Sequence, residues 1–132
     1  MTASRIHRYP VDTGAALSAE FTVLDGTAYF TVIPSAPGGG LSDGGILAQS
    51  EAVFDNLERK LAKIGAELAS IAQMTIYLVD IGETRAAFNE VYARRMPQGR
   101  MPIRCAVGVA ALARPDMLVE VSAVAEVPDT EG

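Results

Sequence analysis

Apolar residues recur every three or four positions from Val53 through Leu57, Leu61 and Ile64 to Leu68, with Glu51, Asp55, Glu58, Arg59 and Lys63 between them. That spacing draws an apolar stripe along one side of an α-helix. The helix should begin just after Ser42-Asp43, either of which can cap it, and Gly65 can end it in a left-handed conformation. A second, shorter helix is predicted from about Glu83 to Arg95, with Phe88, Val91 and Tyr92 inward and Pro97 stopping it. Elsewhere the pattern changes to β-prone runs. Glu20 to Leu24 and Thr27 to Ile33 flank Asp25-Gly26, a pair suited to a two-residue type I′ turn. Met74 to Val79, Ile103 to Leu112 and Met117 to Ala125 read as three further strands, and His7 sits in a first strand or arm. Pro34 to Gly45 is a loop rich in Gly, Pro, Ser and Asp. Its Gly38-Gly39-Gly40 lacks the Lys-Ser/Thr of a phosphate-binding loop.

The order is therefore strand, strand, helix, strand, helix, strand, strand. It predicts one α+β domain over residues 1–132, a mixed β-sheet with two helices packed on one face. There is no internal repeat or interdomain linker, and the tail from Pro128 to Gly132 should fray. The last two strands carry apolar or small residues on both sides. Ile103, Cys105, Val107 and Val109 share one face of the first, while Ala106, Gly108 and Ala110 line the other. No other segment can cover the second face, which points to a homo-oligomer.

Composition narrows the class. The 132 residues are 49% apolar and 20% charged, neither disordered nor membrane-spanning in character. No run approaches the roughly 20 apolar residues a bilayer needs. No apolar stretch follows the basic N-terminus as in a signal peptide. With one cysteine, Cys105, there is neither a disulfide framework nor a thiolate metal site, and a cytoplasmic location is expected. The net charge of −5 weighs against nucleic-acid binding. Arg94, Arg95, Arg100 and Arg104 nevertheless cluster in one segment; for Arg94 and Arg95 a helix C-terminus followed by a solvated loop explains them.

Arg104 and Glu120 are the pair with chemical content. Alternation places Arg104 beside Ala106, Gly108 and Ala110, where it has room before it. Glu120 leaves its strand opposite Val119 and Val121. If the closing strands are antiparallel neighbours, the two border one cavity. An exposed cross-strand ion pair, worth little, accounts for them equally well on periodicity alone. Cys105, opposite Arg104, reads as a small buried hydrophobe.

Several segments resemble the RidA/YjgF family in order and spacing. They are Phe54-Asp55-Asn56-Leu57, Thr75-Ile76-Tyr77-Leu78-Val79-Asp80, Phe88-Asn89-Glu90-Val91-Tyr92, Pro102-Ile103-Arg104 and Val119-Glu120-Val121. The similarity covers roughly residues 17 to 126. It implies a chorismate-mutase-like α+β fold and a homotrimer with clefts between subunits. It implies further that Arg104 holds a substrate carboxylate and Glu120 handles the attacking water. Backbone groups at Cys105 and Ala106, and the side chain of Asn89, would border the substrate. The reaction implied is hydrolysis of a 2-imino or enamine acid to a 2-keto acid and ammonia, with no cofactor and no metal. The alternative is a non-catalytic carboxylate-binding or chaperone-like module. Ribonuclease activity, a label attached to the family, fits poorly with the acidic balance and a single histidine. The chain also departs from the family's pattern. Val32-Ile33-Pro34 stands where Ser-Gly-Gln is usual, Ser18-Ala19 falls near the usual Gly-Pro-Tyr, and Ala106 replaces the cysteine two after the arginine.

Overall fold

Asp25 and Gly26 both take positive φ, 49° and 82°, as a type I′ turn requires. They join β2 (Phe21–Leu24) to β3 (Thr27–Val32) in antiparallel register. β1 (Ile6–Tyr9), the strand that carries His7, pairs with the far side of β2. The computed structural model describes residues 3–10 and 13–129. The first two residues of the basic N-terminus and residues 130–132 of the tail lie outside them.

The strands form one sheet in the order β1-β2-β3-β6-β4-β5. β4 (Ile71–Val79) runs antiparallel to β6 (Val119–Glu126) on one side and parallel to β5 (Ile103–Val109) on the other. The closing strands β5 and β6 are therefore not neighbours, contrary to the sequence reading. A parallel pair needs a crossover, and α2 (Ile81–Arg95) supplies it, carrying the chain to the outer side of β4. The return segment then crosses back, and β6 fills the gap between β3 and β4. β5 also stops at Val109, short of the predicted Leu112.

Both helices lie on one face, as the pattern predicts. α1 (Gly45–Ala62) covers β3 and β6, and α2 covers β4 and β5. Val53, Phe54, Leu57 and Leu61 of α1 and Phe88 and Val91 of α2 are wholly buried against Met74, Ile76, Leu78, Val119 and Val121 of the sheet. Where β4 begins, a bulge between Ile71 and Gln73 shifts the alternation, so that Ile71 and Met74 both face this core. The N-cap of α1 is Gly44, with no side-chain cap, rather than Ser42 or Asp43. At its other end Gly65, at φ 71°, turns the chain back so that the Ala66 N–H reaches the Leu61 carbonyl at 3.0 Å. Ile64 consequently lies past the helix, and Leu68 starts a single 3-10 turn (Leu68–Ser70).

Arg94 and Arg95 are more than dipole complements in a solvated loop. Arg95 reaches across to α1 and donates to Glu51 at 2.6 Å, Asp55 at 2.9 Å and Glu58 at 2.6 Å. Its guanidinium carbon also stands 5.7 Å from the centre of the Phe54 ring. Arg94 pairs with the second oxygen of Glu51. The acidic side of one helix is thus tied to the basic end of the other.

Candidate active site

β5 is an edge strand, and its alternate residues divide cleanly between the two faces. Arg104, Ala106 and Gly108 pair in register with Met74, Ile76 and Leu78, on the side the helices cover. The space expected beside these small residues is partly taken. A Cβ added at Gly108 would stand 2.8 Å from Cγ2 of Ile81, so the glycine is what lets the start of α2 approach the strand. Arg104 lies at the opposite end of β5, under the middle of α2. Its Nη2 donates to Oδ1 of Asn89 at 2.8 Å, and its guanidinium carbon sits 4.5 Å from the Tyr92 ring centre.

Asn89 and Tyr92 are three residues apart and so share one face of α2. Strand alternation does not reveal them as the support of Arg104. Their spacing does, once α2 is known to cross over β5. Burial pushes the Tyr92 phenol above its ordinary pKa, with the Arg104 cation working against it. A stacked, tethered guanidinium keeps its plane fixed, which suits it to donate in parallel to a planar anion. Among the described residues no carboxylate lies within 4.0 Å of it, whereas Arg95 is saturated with three.

Glu120 is elsewhere. It pairs in register with Tyr77 on the uncovered face, and Tyr77 in turn pairs with Val107 of β5. Arg104 and Glu120 therefore leave opposite faces of the sheet, with β4 between their strands, and border no common cavity within one chain. Nor do they form the cross-strand ion pair that periodicity allowed. Cys105 is exposed on the same open face as Glu120, because no element covers it there; the reading of a small buried hydrophobe is corrected. The side chain of Ala106 stays on the helix face, half-buried near Arg104. Since β5 is an edge strand, alternate backbone groups along it have no partner in the sheet. Among the described residues no three of His, Cys, Asp or Glu are grouped to hold a metal ion, and no helix is long and apolar enough to cross a membrane.

Comparison with known proteins bears on the whole arrangement. The profile of a family described as Endoribonuclease L-PSP matches residues 14–127. The chain is 40% identical over 82 residues to protein DfrA of Myxococcus xanthus, 62% of this chain and 60% of that one. To a RutC family protein of Pyrococcus abyssi it is 35% identical over 87 residues, 66% of each. The matched region thus spans just under two thirds of these curated relatives. A solved structure of a YjgF family member from Neisseria meningitidis superposes with a TM-score of 0.82 at 25% identity, covering 95% of this chain and 97% of that one. The shared architecture is the chorismate-mutase-like α+β fold.

Proposed function

The chain belongs to the Endoribonuclease L-PSP family, the RidA/YjgF proteins, and from that premise we propose that it hydrolyses small 2-imino or enamine carboxylates to 2-keto acids and ammonia in a cleft between subunits. The observation that carries this reading is Arg104: a guanidinium stacked on Tyr92, tethered by Asn89 and, among the described residues, with no carboxylate within 4.0 Å. Such a group is preorganised to take a carboxylate through two parallel hydrogen bonds.

The chemistry asked of the rest is modest. Water adds to the carbon of the C=N bond, a proton passes to nitrogen, and ammonia leaves as the C=O bond forms. The reaction balances with water alone, so this reading invokes no cofactor. Glu120 serves as the proton acceptor that activates the water, while backbone groups at Cys105 and Ala106 and the side chain of Asn89 border the substrate. Because Glu120 and Arg104 lie on opposite faces of one sheet, the glutamate of a working site comes from a second copy of the chain. A homotrimer meets that need, and the exposed Ile103 and Tyr29 on the open face give the copies something to bury. We place the protein in the cytoplasm, in keeping with its single cysteine.

The departures at Val32-Ile33-Pro34 and Ser18-Ala19 favour one alternative, a module that binds small carboxylates without turning them over. Nucleic acid has no part in either reading, with a net charge of −5 and His7 alone and exposed on β1. An imine generated in situ by a pyridoxal-phosphate lyase separates the two. Wild-type protein should accelerate keto-acid release over the spontaneous rate, and Arg104→Ala and Glu120→Gln should each lose about 100-fold or more. Co-assembled Arg104→Ala and Glu120→Gln chains should regain a fraction of the activity. No acceleration by the wild type with any such imine sinks the hydrolase; keto-acid binding that disappears in Arg104→Ala would then establish the binding module.

A further inference from the structure

Tying two helices together does not require all the partners that Arg95 has. Hydrogen bonds from its two terminal nitrogens to Glu51, Asp55 and Glu58 hold the guanidinium by its rim. Asp55 and Glu58 are well exposed, 69% and 51%, where an ion pair contributes little to stability. What such bonds do fix is orientation, because a planar guanidinium donates along its rim and leaves its faces free. The guanidinium carbon lies over the Phe54 ring, and the Arg95 side chain is only 17% exposed.

Phe54 is wholly buried and belongs to a cluster of rings with Phe88 and Tyr92. Its centre stands 5.9 Å from that of Phe88, and it meets Tyr92 edge-on at 6.2 Å. Phe88 and Tyr92 are 6.1 Å apart. Tyr92 in turn carries Arg104. Two rings therefore link two guanidinium groups, one saturated with carboxylates and one with none within 4.0 Å among the described residues. In a close-packed cluster a ring does not tilt alone. A Phe54 that lost its cover would shift the edge against which Tyr92 is packed.

We propose that Arg95 is a positioning residue for the anion site: clamped by Glu51, Asp55 and Glu58, it seats Phe54 against Tyr92 and so fixes the platform on which Arg104 lies. The proposal rests on Arg104 as the carboxylate anchor, which the hydrolase and the binding module share.

The position of Arg104 can be read without any ligand. In protein labelled with nitrogen-15 at arginine Nε, the Arg104 signal is the one absent from Arg104→Lys. Its proton should be displaced upfield by the Tyr92 ring current, and Tyr92→Leu should remove the displacement. Arg95→Lys keeps the charge for the three carboxylates but has no planar group to lay on Phe54. It should melt close to the wild type yet lose much of the Arg104 displacement. Pyruvate binding measured by calorimetry should weaken by about fivefold or more, as misplacement of a binding group implies. In imine hydrolysis KM should rise while kcat is kept. Glu51→Gln is the converse case, since Asp55 and Glu58 still hold Arg95. It should lower the melting temperature and leave the Arg104 signal and pyruvate affinity as they are. Arg95→Tyr, with a ring to cover Phe54 and no ion pairs, should restore the signal. An undisplaced Arg104 signal in the wild type, a signal unmoved by Arg95→Lys, or one moved equally by Glu51→Gln would each overturn the proposal and leave Arg95 a tether between helices. If the wild type binds no pyruvate, it is the carboxylate reading of Arg104 that falls, and the Arg104 signal still decides the role of Arg95.

Discussion

Glu51 receives hydrogen bonds from two guanidinium groups and shows how individual charges are used in this chain. The bond from Arg94 is the largest influence on its carboxyl; burial works against it, and Arg95 adds to the lowering, leaving the pKa below the ordinary 4.5. A carboxyl whose folded pKa is depressed contributes stability that is complete above its unfolded value and is lost as pH falls through the lower, folded one. Glu51→Gln should therefore melt a few degrees below the wild type at pH 7, and the gap should close as the pH is taken well below 4.5. Thermal melts at several pH values would show it; an equal gap at pH 3 and pH 7 would mean the ion pairs are not the cause. The contrast with Arg104 is informative. Arg95, Glu51 and their neighbours satisfy one another, whereas Arg104 is oriented by an amide and an aromatic ring and keeps its charge available.

At the scale of elements, the approach to β6 is set by α1. The buried Gln49 donates through Nε2 to the Asp116 carbonyl and accepts from the Leu118 N–H, both at 2.8 Å. The Leu118 carbonyl in turn accepts from Val79 N–H at 3.0 Å. One side chain thus fixes the segment two residues before Glu120. Gln49→Leu, which fills similar space without the bonds, should cost about 1–3 kcal/mol because two backbone groups lose their partner. In urea unfolding this would appear as a lower midpoint with an unchanged slope. An unchanged midpoint would show that water replaces the glutamine.

For the whole molecule the open face of the sheet is decisive. Ile103 is 71% exposed and Tyr29 43%, on the side that neither helix covers. If copies of the chain bury this face, Ile103→Asp should lower the solution mass measured by light scattering toward that of one chain. It should also abolish hydrolysis while leaving the circular dichroism of the folded chain in place. A mass equal to that of the wild type would place the interface elsewhere.

Features with a local cause were legible in the sequence. Asp25-Gly26 made the hairpin because few other pairs tolerate two positive φ values in succession. Phe88, Val91 and Tyr92 turned inward because 3.6-residue periodicity leaves them one face. Arg104 stood out because a charge among small residues calls for an explanation. Strand order was not legible, because it depends on which long-range pairings bury most, and alternation within a strand says nothing about its neighbours. Only the tertiary structure placed β4 between β5 and β6 and set Arg104 and Glu120 on opposite faces of the sheet. It also set Arg95, in the sequence one more cation at a helix C-terminus, over Phe54, the ring that meets Tyr92 beneath Arg104.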